Sequence, residues 1–179
     1  MTLPQSNRQQ LFDTMVINPS VKTIVDKKCA TLIAHKDRYQ AIAQLVNTAM
    51  QWFCVGVIHE LECTQNFNCY LGNGQRLNKV TTIVPKGRGP FKTFEDGALD
   101  ALKLQGFDKV KDWSIGNILY ILEGYNGYGY EKYHNMNSPY IWAGSNQYTK
   151  GKYTSDGKFD PNAISSQIGV ALLLKKLLL

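Results

Sequence analysis

Apolar residues recur every three to four positions along most of the chain, which is the spacing of one face of an α-helix. Before residue 50 this spacing predicts three scaffold helices: residues 5–16, a helix opened by Asn18-Pro19, and a helix capped by Asp37. After residue 90 it predicts Phe94–Leu104 behind the cap Thr93, a helix over 114–123 begun by Ser114, and a last helix opened by Asp160-Pro161.

The run 52–58 is apolar on every side, which indicates a helix buried all round. Asn73-Gly74 between apolar residues predicts a hairpin turn, and residues 80–84 predict its return strand, ended by Pro85. The fold class is therefore predicted as mostly α, a helical bundle around one buried helix with one small β-hairpin. The length of 179 residues fits a single domain over 1–179.

Two carboxylates, Glu60 and Glu62, follow the apolar run. Two positions on a helix differ by about 200°, so one carboxyl can lie in the apolar interior while the other faces water. An apolar environment raises the pKa of a carboxyl, as a general acid near neutral pH requires. The alternative is an ordinary helix end with two solvated glutamates.

Two later stretches, 123–130 and 137–153, combine tyrosine, tryptophan, glycine and amide side chains. A tyrosine ring offers a flat apolar face and a hydroxyl, which suits a sugar. The alternatives are a glycine-rich turn with tyrosines packed for bulk and an aromatic lid over the core. So many glycines are expected to end the preceding helix near Glu123.

The segment from Glu62 to Phe67 resembles the Glu-Ser-x-x-x-Phe pattern of lytic transglycosylases and goose-type lysozymes, with Cys63 in place of Ser. Tyr125-Asn126-Gly127 resembles their Tyr-Asn-(Ala/Gly)-Gly motif. The order Ser-Pro-Tyr-x-Trp, Tyr-Thr-Lys-Gly-Lys-Tyr, Asp-Gly-Lys-Phe-Asp-Pro is similar to a family of bacterial and phage-encoded peptidoglycan hydrolases. The resemblance to the lysozyme superfamily covers roughly residues 42–173.

This resemblance implies a lysozyme-like fold that cleaves the β-1,4 bond between N-acetylmuramic acid and N-acetylglucosamine, without cofactor or metal. It implies that Glu62, not Glu60, is the general acid and that Tyr125 and Asn126 hold the reacting sugar. Further substrate contacts are expected from Gly127, Tyr140, Trp142, Ser145, Tyr148 and Thr81.

The step after protonation stays open. If water attacks with inversion, a second carboxylate about 6.5–9.5 Å from the acid is needed. The candidates are Glu60, Glu95, Asp96, Asp100 and Glu123, while Gln75 stands where relatives have Asp. If the 6-hydroxyl of the muramic residue attacks instead, Glu62 returns as base and the enzyme is a lytic transglycosylase.

The charge of +6 and pI of about 9.1 suit an anionic partner, either nucleic acid or the bacterial envelope. The basic residues are scattered rather than clustered, which disfavours nucleic acid. We therefore expect a monomer whose partner is the peptidoglycan glycan strand. A non-catalytic glycan-binding module is the alternative.

Both ends of the chain bear on location. Residues 1–8 are polar without an apolar core, so no secretory signal is predicted. The apolar run 164–179 is short and broken by Lys175 and Lys176, so no stable membrane insertion is expected. We expect synthesis in the cytoplasm and action on the periplasmic wall, after release as a phage endolysin or delivery as an effector.

The four cysteines, at positions 29, 54, 63 and 69, are expected to be ordinary buried thiols. A bridge between Cys63 and Cys69 is left open.

Overall fold

The computed structural model describes residues 5–179, with side chains from residue 7 onward. Within that range the chain is mostly helical with one small antiparallel sheet, which confirms the predicted fold class. The elements are α1 (Gln5–Asp13), a 3-10 turn (Pro19–Val21), α2 (Lys22–Ala34), α3 (Lys36–Val46), α4 (Trp52–Cys63), α5 (Phe94–Leu104), a 3-10 turn (Phe107–Lys109), α6 (Ile115–Asn126), α7 (Gly129–His134), α8 (Pro139–Trp142), β1 (Lys152–Ser155), β2 (Lys158–Asp160) and α9 (Val170–Leu177).

The structure divides into two compact units. The central unit is Ala30–Trp113, and the terminal unit combines Met1–Cys29 with Ser114–Leu179. The expectation of one domain over 1–179 stays a prediction. The expected absence of a secretory signal also stays a prediction, and it concerns residues that lie partly outside the described range.

Helix α4 forms the core of the central unit, as the apolar run predicted. Every residue from 53 to 60 is buried, and α3 packs against α4 on one side and α5 on another. A Cβ added at Gly56 would lie 3.3 Å from the ring of Tyr39, so the glycine lets α3 approach closely. The burial of an entire helix circumference explains why its sequence lacks a polar face.

Helix α5 begins and ends where the sequence predicts. The Thr93 hydroxyl accepts a hydrogen bond from the Asp96 backbone N–H at 3.1 Å, which satisfies one of the unpaired donors of the first turn.

The predicted hairpin differs in position from the observed one. The turn at Asn73-Gly74 forms, but residues 80–84 are not a strand, and pairing there is limited to a bridge between Cys69 and Arg76. The physical reason is Gln75, whose Oε1 accepts the backbone N–H groups of Thr82 (2.8 Å) and Ile83 (3.2 Å). One side chain therefore satisfies the donors that a partner strand would have taken.

The two-stranded sheet lies in the terminal unit instead. Strands β1 and β2 pair antiparallel, with Tyr153 opposite Phe159. They are joined by Asp156-Gly157, where Gly157 has φ 70°. Asp-Gly between alternating residues is a hairpin signal that reading the sequence missed.

A buried ion triad holds α1 to α6 and α7 in the terminal unit. Arg8 donates to Glu123 Oε2 from Nε (3.1 Å) and Nη2 (2.9 Å), and to Glu131 Oε2 from Nη2 (2.8 Å). All three side chains are at most 4% exposed, and the guanidinium lies 5.0 Å from the ring centre of Tyr120. Burial raises the pKa of Glu123, against the attraction of Arg8.

The last helix begins later than Asp160-Pro161. Asp160 Oδ1 accepts the backbone N–H groups of Asn162 (2.8 Å) and Ala163 (3.2 Å), which makes a turn rather than a helix start. Helix α9 then occupies eight residues of the apolar run. None of the helices within residues 5–179 has the length and apolar character needed to cross a membrane.

We expect Arg8→Met to lower the free energy of unfolding by about 3–5 kcal/mol, because it leaves two buried carboxylates without their cation. The loss relative to wild type should shrink in acid, since protonation removes the buried charge of Glu123. Denaturant unfolding at several pH values measures both effects. Lys176→Met is the control, because the ion pair of Lys176 with Asp26 is exposed, and equal losses in the two variants would contradict the prediction.

Candidate functional site

Glu62 lies in the last turn of α4 and is half-buried. The helix ends immediately afterwards, because Thr64 (φ 50°) and Gln65 (φ 58°) both adopt left-handed backbone conformations. Their N–H groups return to the carbonyls of Glu60 and His59 at 3.0 and 3.2 Å. The chain thus reverses at the point where Glu62 leaves the apolar core.

The turn at Gly74 packs against the carbonyl of Glu62. A Cβ added at Gly74 would lie 2.6 Å from that oxygen, and its φ of 71° also favours glycine. Beside this contact is a groove of about 440 Å³, lined by Gly74, Gln75, Arg76, Lys79, Val80 and Thr82. The end of α4 and the wall of a groove are therefore joined at one tight contact.

Glu60 and Glu62 have different environments, as their angular separation predicts, but Glu60 is the more buried of the two. Glu60 is 7% exposed and accepts a hydrogen bond from Gln65 Nε2 at 2.6 Å. Burial alone thus singles out Glu60, whereas the resemblance selects Glu62. Accessibility favours Glu62, because a substrate cannot reach a carboxyl that is covered by the protein.

A cluster of rings lies under the last turns of α4. His59 is fully buried, with Nδ1 2.9 Å from the Tyr39 hydroxyl and ring centroids 4.6 Å from Phe67 and 4.4 Å from Phe94. Burial lowers the pKa of His59 to about 4, so the imidazole is neutral at physiological pH. Phe67, the aromatic residue of the resemblance, therefore anchors the loop that follows Glu62.

Arg38 covers this cluster from outside. Its guanidinium lies 3.9 Å from the ring centre of Phe67 and pairs with Glu95. The hydrogen bond from Arg38 lowers the pKa of Glu95.

Some of the other candidates for a second carboxylate are already held by ion pairs or hydrogen bonds. Burial opposes ionisation of Asp100, but hydrogen bonds from Arg88 and Tyr70 hold its pKa below the usual range. Glu123 belongs to the buried triad. Asp96 is exposed in the first turn of α5, and its carboxylate has no hydrogen-bond partner within residues 5–179.

Cys63 occupies the serine position of the pattern and is buried beside Glu62. Its Sγ lies 3.6 Å from the Tyr70 carbonyl oxygen, and burial raises the pKa of the thiol. Cys29, Cys54 and Cys63 are buried free thiols, as expected, and Cys69 is a half-buried one. The bridge left open between Cys63 and Cys69 is not formed.

A pocket of about 670 Å³ opens in the terminal unit and brings together three of the predicted sugar contacts: Asn126, Gly127 and Tyr140. Two tyrosines that the sequence did not single out, Tyr130 and Tyr153, also line it. This volume lies within the range of about 300–1,000 Å³ typical of small-ligand sites.

The glycine- and tyrosine-rich stretch is more helical than predicted. Helix α6 continues through Gly124 to Asn126, Gly127 (φ 85°) ends it, and α7 starts at Gly129. The helix tolerates Gly124 because the Tyr128 hydroxyl fills the space beside it and bonds to the Tyr120 carbonyl at 3.1 Å. Asn126 is therefore displayed at a helix end and is exposed.

The remaining predicted contacts lie inside the protein, and Tyr140 is itself only 5% exposed. Trp142 and Ser145 are each 1% exposed, and the Ser145 hydroxyl donates to the Trp142 carbonyl at 2.7 Å. The Tyr148 hydroxyl donates to the Gly151 carbonyl at 3.1 Å and accepts from the Ser165 N–H. Thr81 bonds to the Pro85 carbonyl (2.6 Å) and the Arg88 N–H (2.9 Å). These side chains shape loops in the structure.

Tyr125 is half-buried in the last turn of α6. Glu62 belongs to the central unit and the Tyr125-Asn126 pair to the terminal unit. That the two border one subsite stays a prediction. Among residues 5–179, no group of three or more His, Cys, Asp or Glu side chains is arranged to hold a metal ion.

Comparison with known proteins yields no family model, no curated protein and no solved structure that matches the chain.

The buried, neutral His59 makes stability depend on pH. Its pKa is about 4 in the folded protein and about 6.5 in the unfolded chain, so the unfolded state takes up a proton first. The free energy of unfolding should therefore fall as pH decreases from about 6.5 toward 4. An NMR titration of the imidazole should show the neutral ring persisting well below pH 6; protonation near pH 6.5 in the folded protein would contradict this.

Proposed function

We propose that this protein cleaves the glycan strands of peptidoglycan at the β-1,4 bond between N-acetylmuramic acid and N-acetylglucosamine, with Glu62 as general acid. The observation that carries the proposal is the position of Glu62: half-buried, in the last turn of an apolar helix, against the turn at Gly74. A carboxyl at the boundary between core and solvent is partly shielded from water, which disfavours its charged form, and it is open enough to reach a substrate.

In the proposed reaction, protonated Glu62 donates to the glycosidic oxygen as the bond breaks, and positive charge develops on the sugar as in an oxocarbenium ion. Because Glu95, Asp100 and Glu123 are tied to arginines and Glu60 to Gln65, we favour attack by the 6-hydroxyl of the muramic residue. Glu62 then accepts the hydroxyl proton, and a 1,6-anhydro product leaves. If water attacks instead, the exposed Asp96 is the candidate base.

Sugar binding is assigned to the terminal pocket, where Asn126, Gly127 and Tyr140 meet. Amides and hydroxyls can bond the hydroxyl and N-acetyl groups of a glycan, and tyrosine adds an apolar surface. The same pocket supports the second candidate, a glycan-binding module without catalysis, because it would bind sugar whether or not Glu62 reacts.

Incubation with purified sacculi and mass spectrometry of the soluble products distinguishes these outcomes. Products with 1,6-anhydro ends indicate transglycosylation, and products with hydrated reducing ends indicate hydrolysis. Binding to sacculi without soluble products would indicate a glycan-binding module that has no catalytic activity.

Glu62→Gln should lower the rate of product release by about 10²–10⁴-fold without lowering the melting temperature, because the amide keeps the shape and lacks the proton. Glu60→Gln is the matched control on the same helix and should have a much milder effect on rate. If Glu62→Gln keeps activity within about tenfold of wild type, Glu62 is not the general acid. If Glu60→Gln loses much more activity than Glu62→Gln, the general acid is Glu60.

Asn126→Ala should lower turnover on sacculi and leave the melting temperature nearly unchanged. The Asn126 side chain is exposed and makes no hydrogen bond with residues 5–179, so its loss leaves no buried group unsatisfied. Calorimetry and the sacculus assay on one preparation check both. A clear loss of stability with normal turnover would instead identify Asn126 as a structural amide.

A further inference from the structure

Two oppositely charged side chains line the pocket of the terminal unit, and neither is paired within the described residues. Lys152 on β1 is half-buried and Asp156 in the hairpin turn is exposed, and both line the pocket. Neither side chain forms an ion pair or hydrogen bond with any residue of the described range 5–179. By contrast, Lys150 bonds to Asn162 and Lys175 to three backbone carbonyls in the same unit.

The platform that carries these charges is fixed. Tyr153 is paired with Phe159 across the sheet, and its backbone N–H donates to the Tyr130 hydroxyl at 3.1 Å. His134 stacks on Phe159 with ring centroids 3.6 Å apart and lies 2.9 Å from the Tyr153 hydroxyl. Lys152 is therefore presented from a strand already ordered before a ligand arrives, which lowers the entropy lost on binding.

The rest of the lining offers neutral hydrogen-bonding groups. Ser155, Ser166 and Gln167 line the pocket, and their side chains make no hydrogen bonds to other side chains or backbone within residues 5–179. A pocket with neutral donors and acceptors, a cation and an anion is complementary to a ligand that carries both charges. A glycan chain without peptide stems has no ammonium group for Asp156, and its only anions are the lactyl carboxylates of the muramic residues.

We propose that this pocket binds the peptide stem of peptidoglycan together with the sugar that bears it, with Lys152 taking a stem carboxylate and Asp156 a stem ammonium. The inference rests on the proposed function and names the substrate part that its pocket recognises. Asn126 and Gly127 contact the sugar, and the charged hairpin contacts the peptide. The protein should therefore discriminate between strands that carry stems and strands stripped of them.

The test measures binding in the Glu62→Gln background, so that no ligand is consumed. Isothermal titration compares three probes: the disaccharide tetrapeptide, the bare disaccharide without peptide and with its lactyl carboxylate amidated, and the disaccharide tetrapeptide with its carboxylates amidated. We expect the unmodified tetrapeptide probe to bind about tenfold tighter than the other two, because a charge-assisted hydrogen bond is lost in each.

Lys152→Gln should remove the preference for the unmodified over the amidated tetrapeptide probe and leave the affinity for the bare disaccharide unchanged. Lys158→Gln is the matched control, because Lys158 is an exposed lysine on the partner strand outside the pocket lining, and it should retain the preference. Asp156→Asn should weaken only probes with a free amino group. Amidation alters the ligand alone, so this arm holds even if a variant folds poorly.

Equal affinity for the tetrapeptide and bare disaccharide probes would overturn the inference, as would an unchanged preference in Lys152→Gln or displacement of the probe by an oligonucleotide. Failure of the stem site and failure of the proposed function give different results. Wild-type protein that cleaves stem-free strands normally refutes the stem site alone. Stem-selective binding without any cleavage of sacculi refutes Glu62 catalysis alone.

Discussion

The central unit depends on the burial of residues 53–60 of α4 around the whole circumference of the helix. A helix with no polar face must be covered on all sides, and α3, the ring of Phe94 at the start of α5 and the ring of Phe67 contribute to that cover. The two polar side chains inside the buried turns need partners, which Tyr39 supplies to His59 and Gln65 to Glu60. Leu61 and Glu62 follow this buried run as half-buried residues, so the packing of the helix brings Glu62 to the edge of the core.

Helical periodicity predicted this unit well because it reports burial directly. The limits of α5 and its Thr93 cap follow from local residue types, and the run 52–58 is unmistakably a buried helix. The strand predicted over 80–84 from its β-branched residues is wrong, because backbone N–H groups of that segment bond to the side chain of Gln75 rather than to another strand. No local pattern distinguishes those two ways of satisfying a backbone N–H.

Only part of the candidate site could be predicted from the sequence. Angular separation shows that Glu60 and Glu62 face different environments, but not which one faces the core; the resemblance selected Glu62 and the packing buried Glu60. Trp142 and Ser145 have the composition of a sugar site, yet the structure uses them inside loops. The Arg8 triad was missed because its partners are 115 and 123 residues away.

Because of this separation, the ribosome synthesises Arg8 long before its two partners. Helix α1 emerges first, but the carboxylates that neutralise Arg8 are translated 115 and 123 residues later, a delay of roughly 6–25 s at about 5–20 residues per second. The central unit ends at Trp113, ten residues before Glu123, so it is synthesised before either carboxylate. Arg8 therefore obtains its two carboxylate partners only after the whole central unit has been synthesised.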